Sequence, residues 1–175
     1  DKKIFSQKHI DFYDNSFDGF EDISLIKNCK FFVCDSAGIA TVATGFNIPV
    51  LRHNWIPISN SSAYRTLIIP KIIINKFTKE KIEFKKIFKD YAKGNLYLMR
   101  NLDFYEQNNL EVLDNETEII LETIKEMFIR IESGNNFDIE DEAQIKFELW
   151  LKKYDIYNPG LVSKAFKDKY KALIS

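Results

Sequence analysis

This sequence predicts an α/β chain, a parallel sheet flanked by helices with a helical C-terminal part, and three observations predict it. The stretch KFFVCDSAGIATVATGFNIPVLRHNW, from Lys30 to Trp55, runs from a short apolar segment through a break of small residues and a small-residue helix to a second apolar segment. Strand, loop, helix, turn and strand is the unit that joins parallel neighbours. A further apolar run, Leu110–Leu113, leads into a helix start and is expected in the same sheet. From about Asn115 to the end, apolar residues recur at helical spacing.

The elements follow in order. Residues 2–5 and 9–13 read as short edge strands, and 14–19 as a loop rich in turn formers. Residues 21–28 suit a helix with Ile23, Leu25 and Ile26 as its apolar face. Phe31, Phe32 and Val33 form the first strand of the central unit, and 39–45 its helix. Asn47 and Pro49 stop that helix, and Val50 and Leu51 open the second strand. Pro57 and the run from Ser59 to Ser62 predict a surface loop. Residues 67–69 and 72–74 are two extended pieces separated by Pro70, which argues against one continuous central strand. Helices are expected over 82–92 and 101–108. Asn115 is placed to cap a helix, with Glu118 three residues on, and Ile120, Ile124, Met127 and Ile131 form its stripe. A second amphipathic helix is expected over 138–154, with Ala143, Phe147, Trp150, Leu151 and Tyr154 inward. A last one over 161–173 is anchored by Phe166, Tyr170 and Leu173.

Composition narrows the function. The chain has 175 residues, enough for one domain with a real core, and is 45% apolar and 29% charged. Fifteen Phe and eight Tyr predict an aromatic core. A net charge of −1 argues against nucleic acid as a partner. The lysine run Lys79, Lys81, Lys85, Lys86 and Lys89 reads as a solvated face. Cys29 and Cys34 lack zinc-ligand spacing and read as reduced core thiols of a cytoplasmic chain. No apolar run reaches membrane-spanning length, so no integral membrane segment is expected. Asp1 in place of Met suggests part of a longer protein.

The chemistry concentrates in the break at Cys34-Asp35-Ser36-Ala37-Gly38. It follows a strand of a parallel sheet, and open α/β sheets bind ligands at the carboxyl ends of their strands. Small residues let backbone N–H groups approach a ligand closely, and the first N–H groups of a helix have no internal partner. Such a terminus suits a phosphate or diphosphate; alternatively Asp35 or Ser36 caps the helix and Gly38 allows tight packing. The loop is neither GxxxxGK[ST] nor GxGxxG. Asp35, Ser36 and His53 could be drawn as a hydrolytic triad, but GxSxG is absent and Asp35 adjoins Ser36. No metal motif is present.

The ordered set Asp22-Ile23, Cys29-Lys30-Phe31-Phe32-Val33, Cys34-Asp35-Ser36-Ala37-Gly38, Pro49-Val50, Asn54-Trp55-Ile56-Pro57, Leu67-Ile68-Ile69-Pro70-Lys71, Val112-Leu113-Asp114-Asn115 and Phe166-Lys167-Asp168-Lys169-Tyr170 resembles the C-terminal part of a bacterial family of glycosyltransferases linked to surface-polysaccharide synthesis. The resemblance spans most of the chain. It implies a Rossmann-like domain, one half of a GT-B fold, that binds the nucleotide-sugar donor of a metal-independent transferase. The N-terminal domain, or a partner chain, would supply the acceptor side and the catalytic base. No cofactor beyond the nucleotide-diphosphate sugar substrate is implied. Asp35, Ser36, Ala37, Gly38 and Ile39 would hold the diphosphate, with Asn54 and Lys71 on the same cleft and Lys71 supplying charge. The loop also resembles the D-S-G loop of UDP-GlcNAc 2-epimerases. The chain departs from the family pattern in having Ala37 for Ser and Cys34 for Gly, and residues 39–44 hold no ribose-binding Glu. A non-catalytic Rossmann-like interaction domain and a 2-epimerase-like enzyme are the alternatives.

Overall fold

The computed structural model describes residues 19–35, 37–56, 65–134, 137–138, 141–156 and 160–174. The edge strands expected at 2–5 and 9–13, most of the 14–19 loop and the loop from Pro57 to Ser62 lie outside these residues, as does Ser36.

The chain is α/β. Four parallel strands form the main sheet in the order β1 (Phe32–Cys34), β2 (Val50–Trp55), β3 (Thr66–Pro70) and β6 (Leu161–Val162). The unit expected from the Lys30–Trp55 stretch is present: β1 pairs in parallel with β2, Phe32 against Val50, and α2 (Ala40–Gly45) connects them. Helices flank the sheet, consistent with a Rossmann-like architecture.

The pleat divides the core. Val50 and Cys34 join Ala40 and Ala43 of α2 and Ile26 of α1 (Gly19–Asn28) in a small cluster. Leu51, the next residue of β2, belongs to the larger cluster, which also takes in Leu67, Ile68 and Ile69 of β3. All five residues of β3 are buried, as an inner strand of a parallel sheet requires. Helix α5 (Thr117–Glu132) packs on β2 and β3 and against α7 (Lys164–Tyr170). Its buried line is Ile119, Thr123 and Met127, with Ile120, Ile124 and Ile131 flanking it half-buried, so the expected stripe is correct to within one position. Trp150 of α6 (Glu142–Leu151) is buried among Phe88, Phe147 and Tyr154, with ring centroids 5.0, 5.7 and 5.6 Å away.

Several expectations need correction. Leu110–Leu113 is a strand, β5, but it pairs antiparallel with β4 (Ile72–Asn75) in a separate two-stranded sheet. The break at Pro70-Lys71 ends the main-sheet strand, and the chain then continues into this second ribbon. Residues 161–173 are not one helix: Leu161–Val162 form the edge strand β6, and α7 starts only after Ser163, whose hydroxyl accepts from the Phe166 N–H at 3.2 Å. Asn115 does not cap α5; Glu116 occupies that position without a side-chain capping bond. Helix α6 starts at Glu142, where the Asp141 carboxylate accepts from the Gln144 N–H at 2.8 Å, and ends in a 3₁₀ turn, Lys152–Tyr154. The 82–92 helix is a short α-helix, α3 (Phe84–Lys86), that widens into a π turn, Ile87–Tyr91; the 101–108 helix is α4 (Leu102–Gln107), capped by Asn101.

Candidate functional site at the carboxyl edge of the sheet

Strand β1 ends at Cys34, and Asp35 stands exposed in the bend that follows. The chain turns through Ala37, Gly38 and Ile39 into α2. That entry is tight. Ala40, Thr41 and Val42 donate their N–H groups back to the carbonyls of Ala37, Gly38 and Ile39 at 3.2, 3.0 and 3.0 Å, and the Thr41 hydroxyl donates to the Gly38 carbonyl at 2.6 Å. Ile39 sits at the capping position, so Asp35 is not the cap of α2. Among the described residues, no backbone carbonyl accepts from the N–H groups of Ala37, Gly38 or Ile39. The helix itself is six residues long, so what remains to meet a ligand is the turn, not an extended helix dipole. A Cβ added at Gly38 would meet nothing within 4 Å.

Strand β2 extends beyond β1 along the same edge. Arg52 pairs with Ile68 and Trp55 with Pro70, so His53 and Asn54 together stand opposite Ile69. This is a β-bulge, a device that re-aims side chains and recurs beside active sites. Asn54 takes a left-handed conformation there, φ 50°, which Asn tolerates better than most residues. The bulge aims Asn54 at the start of α5. Its N–H donates to Asn115 Oδ1 at 2.6 Å, the Asn115 N–H donates to Asn54 Oδ1 at 2.6 Å, and Asn115 Nδ2 donates to the Pro70 carbonyl at 2.8 Å. Lys71, just past β3, pairs with the Asp114 carboxylate at 2.7 Å. Asn54 and Lys71, both expected to face the ligand cleft, are each engaged by a residue next to α5. Asp114 and Asn115 complete the edge as neighbours that sequence reasoning did not assign to it.

Arg52 was also missed. It stands opposite Cys34 in the register of β1 and β2, only 8% exposed, with its guanidinium carbon 4.5 Å from the centre of the Trp55 ring. Its Nε is enclosed without a hydrogen-bond partner. Burial lowers its pKa, with the Cys34 sulfur the one opposing influence. The Cys34 thiol is pushed up by burial, partly offset by Arg52, and burial likewise raises Cys29; both are protonated thiols rather than nucleophiles. His53 Nδ1 is enclosed and unbonded, so among the described residues no carboxylate orients it as a triad would require. The signal for Arg52 was an arginine inside a strand that otherwise begins Val-Leu, where a buried charge needs a reason.

A cavity also lies elsewhere. A cleft of about 560 Å³ opens between α6 and α7 beside β6, lined among others by Arg130, Asp141, Gln144 and Lys167. Its charges answer one another: Lys167 pairs with Asp141, and Arg130 with Glu126 at 3.0 Å. The carboxyl edge, where open parallel sheets bind ligands, is the candidate site. Among the described residues, no group of three His, Cys, Asp or Glu side chains could hold a metal ion, and no helix is long and apolar enough to cross a membrane. Comparison of the chain with protein-family models, with curated proteins and with solved structures found no match.

Proposed function

We propose that this chain is the donor-binding half of a GT-B-type glycosyltransferase that moves a sugar from a nucleotide diphosphate to a surface-polysaccharide acceptor. One observation carries the reading: the carboxyl end of β1 opens into a small-residue turn whose N–H groups at Ala37, Gly38 and Ile39 have no carbonyl partner among the described residues, with room above Gly38. In this reading the diphosphate lies over those N–H groups, with Asp35 and Ser36 bordering it and Asn54 and Lys71 along the edge. Donors placed where the leaving diphosphate gains charge would stabilise the transition state, and such preorganised electrostatics is often the largest catalytic contribution. An N-terminal domain or partner chain would bring the acceptor and the base, and a bacterial cytoplasmic setting suits the donor.

A second reading, a non-catalytic interaction domain of the same fold, is favoured by a different observation. The Asn54–Asn115 pair and the Lys71–Asp114 pair engage internally the polar groups that the transferase reading assigns to ligand.

The test is Gly38→Val with a panel of nucleotide-diphosphate sugars. Nothing within 4 Å opposes a side chain there, and Gly38 does not occupy the left-handed region. The variant should therefore keep the wild-type circular dichroism spectrum and melting temperature while losing donor binding in calorimetry. Failure of wild type to bind any member of the panel, with its natural N-terminal half present, would leave the interaction-domain reading.

A further inference from the structure

We propose that Arg52 is the cationic anchor of an oxyanion site for a phosphoryl group, the part that Lys71 was expected to play. An arginine stays charged, and taking that charge out of water is costly unless an anion with good geometry faces it. Arg52 is more than nine-tenths buried, its Nε has no hydrogen bond, and among the described residues no carboxylate pairs with it. Stacking on Trp55 offsets part of the cost and fixes the plane of the guanidinium, but it supplies no acceptor for the N–H groups. A planar fork with unused donors is the geometry that grips a phosphoryl oxygen pair.

The location fits. Arg52 stands in register with Cys34, the last residue of β1, from which the chain runs on towards the turn through Ala37, Gly38 and Ile39. Arginine and turn thus both belong to the carboxyl end of the β1–β2 pair. Lys71 is held by Asp114, whereas Arg52 has no ion-pair partner among the described residues, so of these two Arg52 is the cation with charge to offer. Among the described residues, Asp35 is a carboxylate close enough to raise the Cys34 thiol, yet it makes no ion pair with Arg52. The identity of the anion as a donor diphosphate rests on the transferase reading; the need for an anion does not.

The probe is inorganic pyrophosphate, titrated into the 175-residue chain at constant ionic strength against chloride, with the arginine Nε–H resonances followed by NMR. The chain has four arginines, and the Arg52 signal is identified by its loss in Arg52→Lys. The expected result is a saturable shift of that one signal. Arg52→Met should weaken pyrophosphate binding about 10- to 100-fold, the effect of losing charge-assisted hydrogen bonds. Its melting temperature without ligand should equal or exceed that of wild type, because an unpaired buried charge has been removed. A purely structural arginine would give the opposite, a lower melting temperature with unchanged binding. An Arg52 signal that pyrophosphate does not move overturns the proposal. So does a signal that moves in ligand-free Asp35→Asn, since Asp35 would then be the counter-ion. Arg52-dependent pyrophosphate binding without any nucleotide-sugar binding keeps the anion site and removes the transferase. Nucleotide-sugar binding that Arg52→Met leaves unchanged does the reverse.

Discussion

Asn54 is where one residue decides how the long helix meets the sheet. Its left-handed φ of 50° turns its amide toward Asn115, and the two exchange backbone-to-side-chain hydrogen bonds across 61 residues of sequence. Removing its side chain should leave the Asn115 N–H without an acceptor in a half-buried setting, at about 1–3 kcal/mol. Asn54→Ala also carries the left-handed penalty of about 1–2 kcal/mol, which Asn54→Gly escapes. Urea unfolding should therefore rank wild type above Asn54→Gly and Asn54→Ala last; equal stability of the two variants would show that the left-handed conformation is not retained in solution. The sequence marked Asn54 and Lys71 as residues of one ligand cleft. It could not reveal that Asn115 and Asp114 meet them, because both partners were legible only as the local signals of a helix start. A side-chain oxygen able to cap its own helix was drawn off by a distant donor, the Asn54 N–H.

At the scale of elements, the sheet's first two strands and their helix were legible because their whole logic lies within Lys30–Trp55: apolar runs, a small-residue break and a Pro stop. β6 was not. It is two residues long, its partner is the distant β3, and its flanks, Ser163 and the helical spacing beyond, pull the eye toward a helix. What holds this short edge strand is a side chain. Gln144 is fully buried on α6. Its Oε1 accepts from the Val162 N–H at 3.0 Å, and its Nε2 donates to the Gly160 carbonyl at 3.2 Å and to the Glu148 carboxylate at 2.8 Å. One amide thus stands in for the neighbouring strand that β6 lacks, which also blunts an edge that could recruit another chain. Gln144→Leu keeps much of the volume but orphans a buried donor and acceptor. A loss of about 1–3 kcal/mol is expected, with faster hydrogen exchange at the Val162 amide. Wild-type protection at Val162 in this variant would show that β6 is held by its pairing to β3 alone.

For the molecule as a whole, the C-terminal helices close onto the sheet through a few charged contacts as well as through the aromatic core. Glu116, at the start of α5, accepts from Lys169 and from the Tyr170 hydroxyl on α7, and both contacts hold its carboxyl below the usual range. Asp141, before α6, is raised by burial, but hydrogen bonds from Lys167 and from the Gln144 N–H outweigh that and lower it on balance. Both are depressed carboxylates. Each contributes stability that is complete above its unfolded value, near 4, and that is lost as pH falls through the lower folded value, since the unfolded chain then binds more protons. On the alkaline side Tyr170 is raised, by burial first and by Glu116 second, so its contribution is present below pH 10 and fades above it. Glu116→Gln removes one titration from each limb: its own in acid and the carboxylate's influence on Tyr170 in base. The urea midpoint of this variant should vary less with pH below about 4 than that of wild type, and the difference should shrink in high salt because Glu116 is exposed and its field is screened. An acid limb identical to wild type would mean that α5 and α7 are joined by packing alone, with Lys169 and Tyr170 merely adjacent to Glu116.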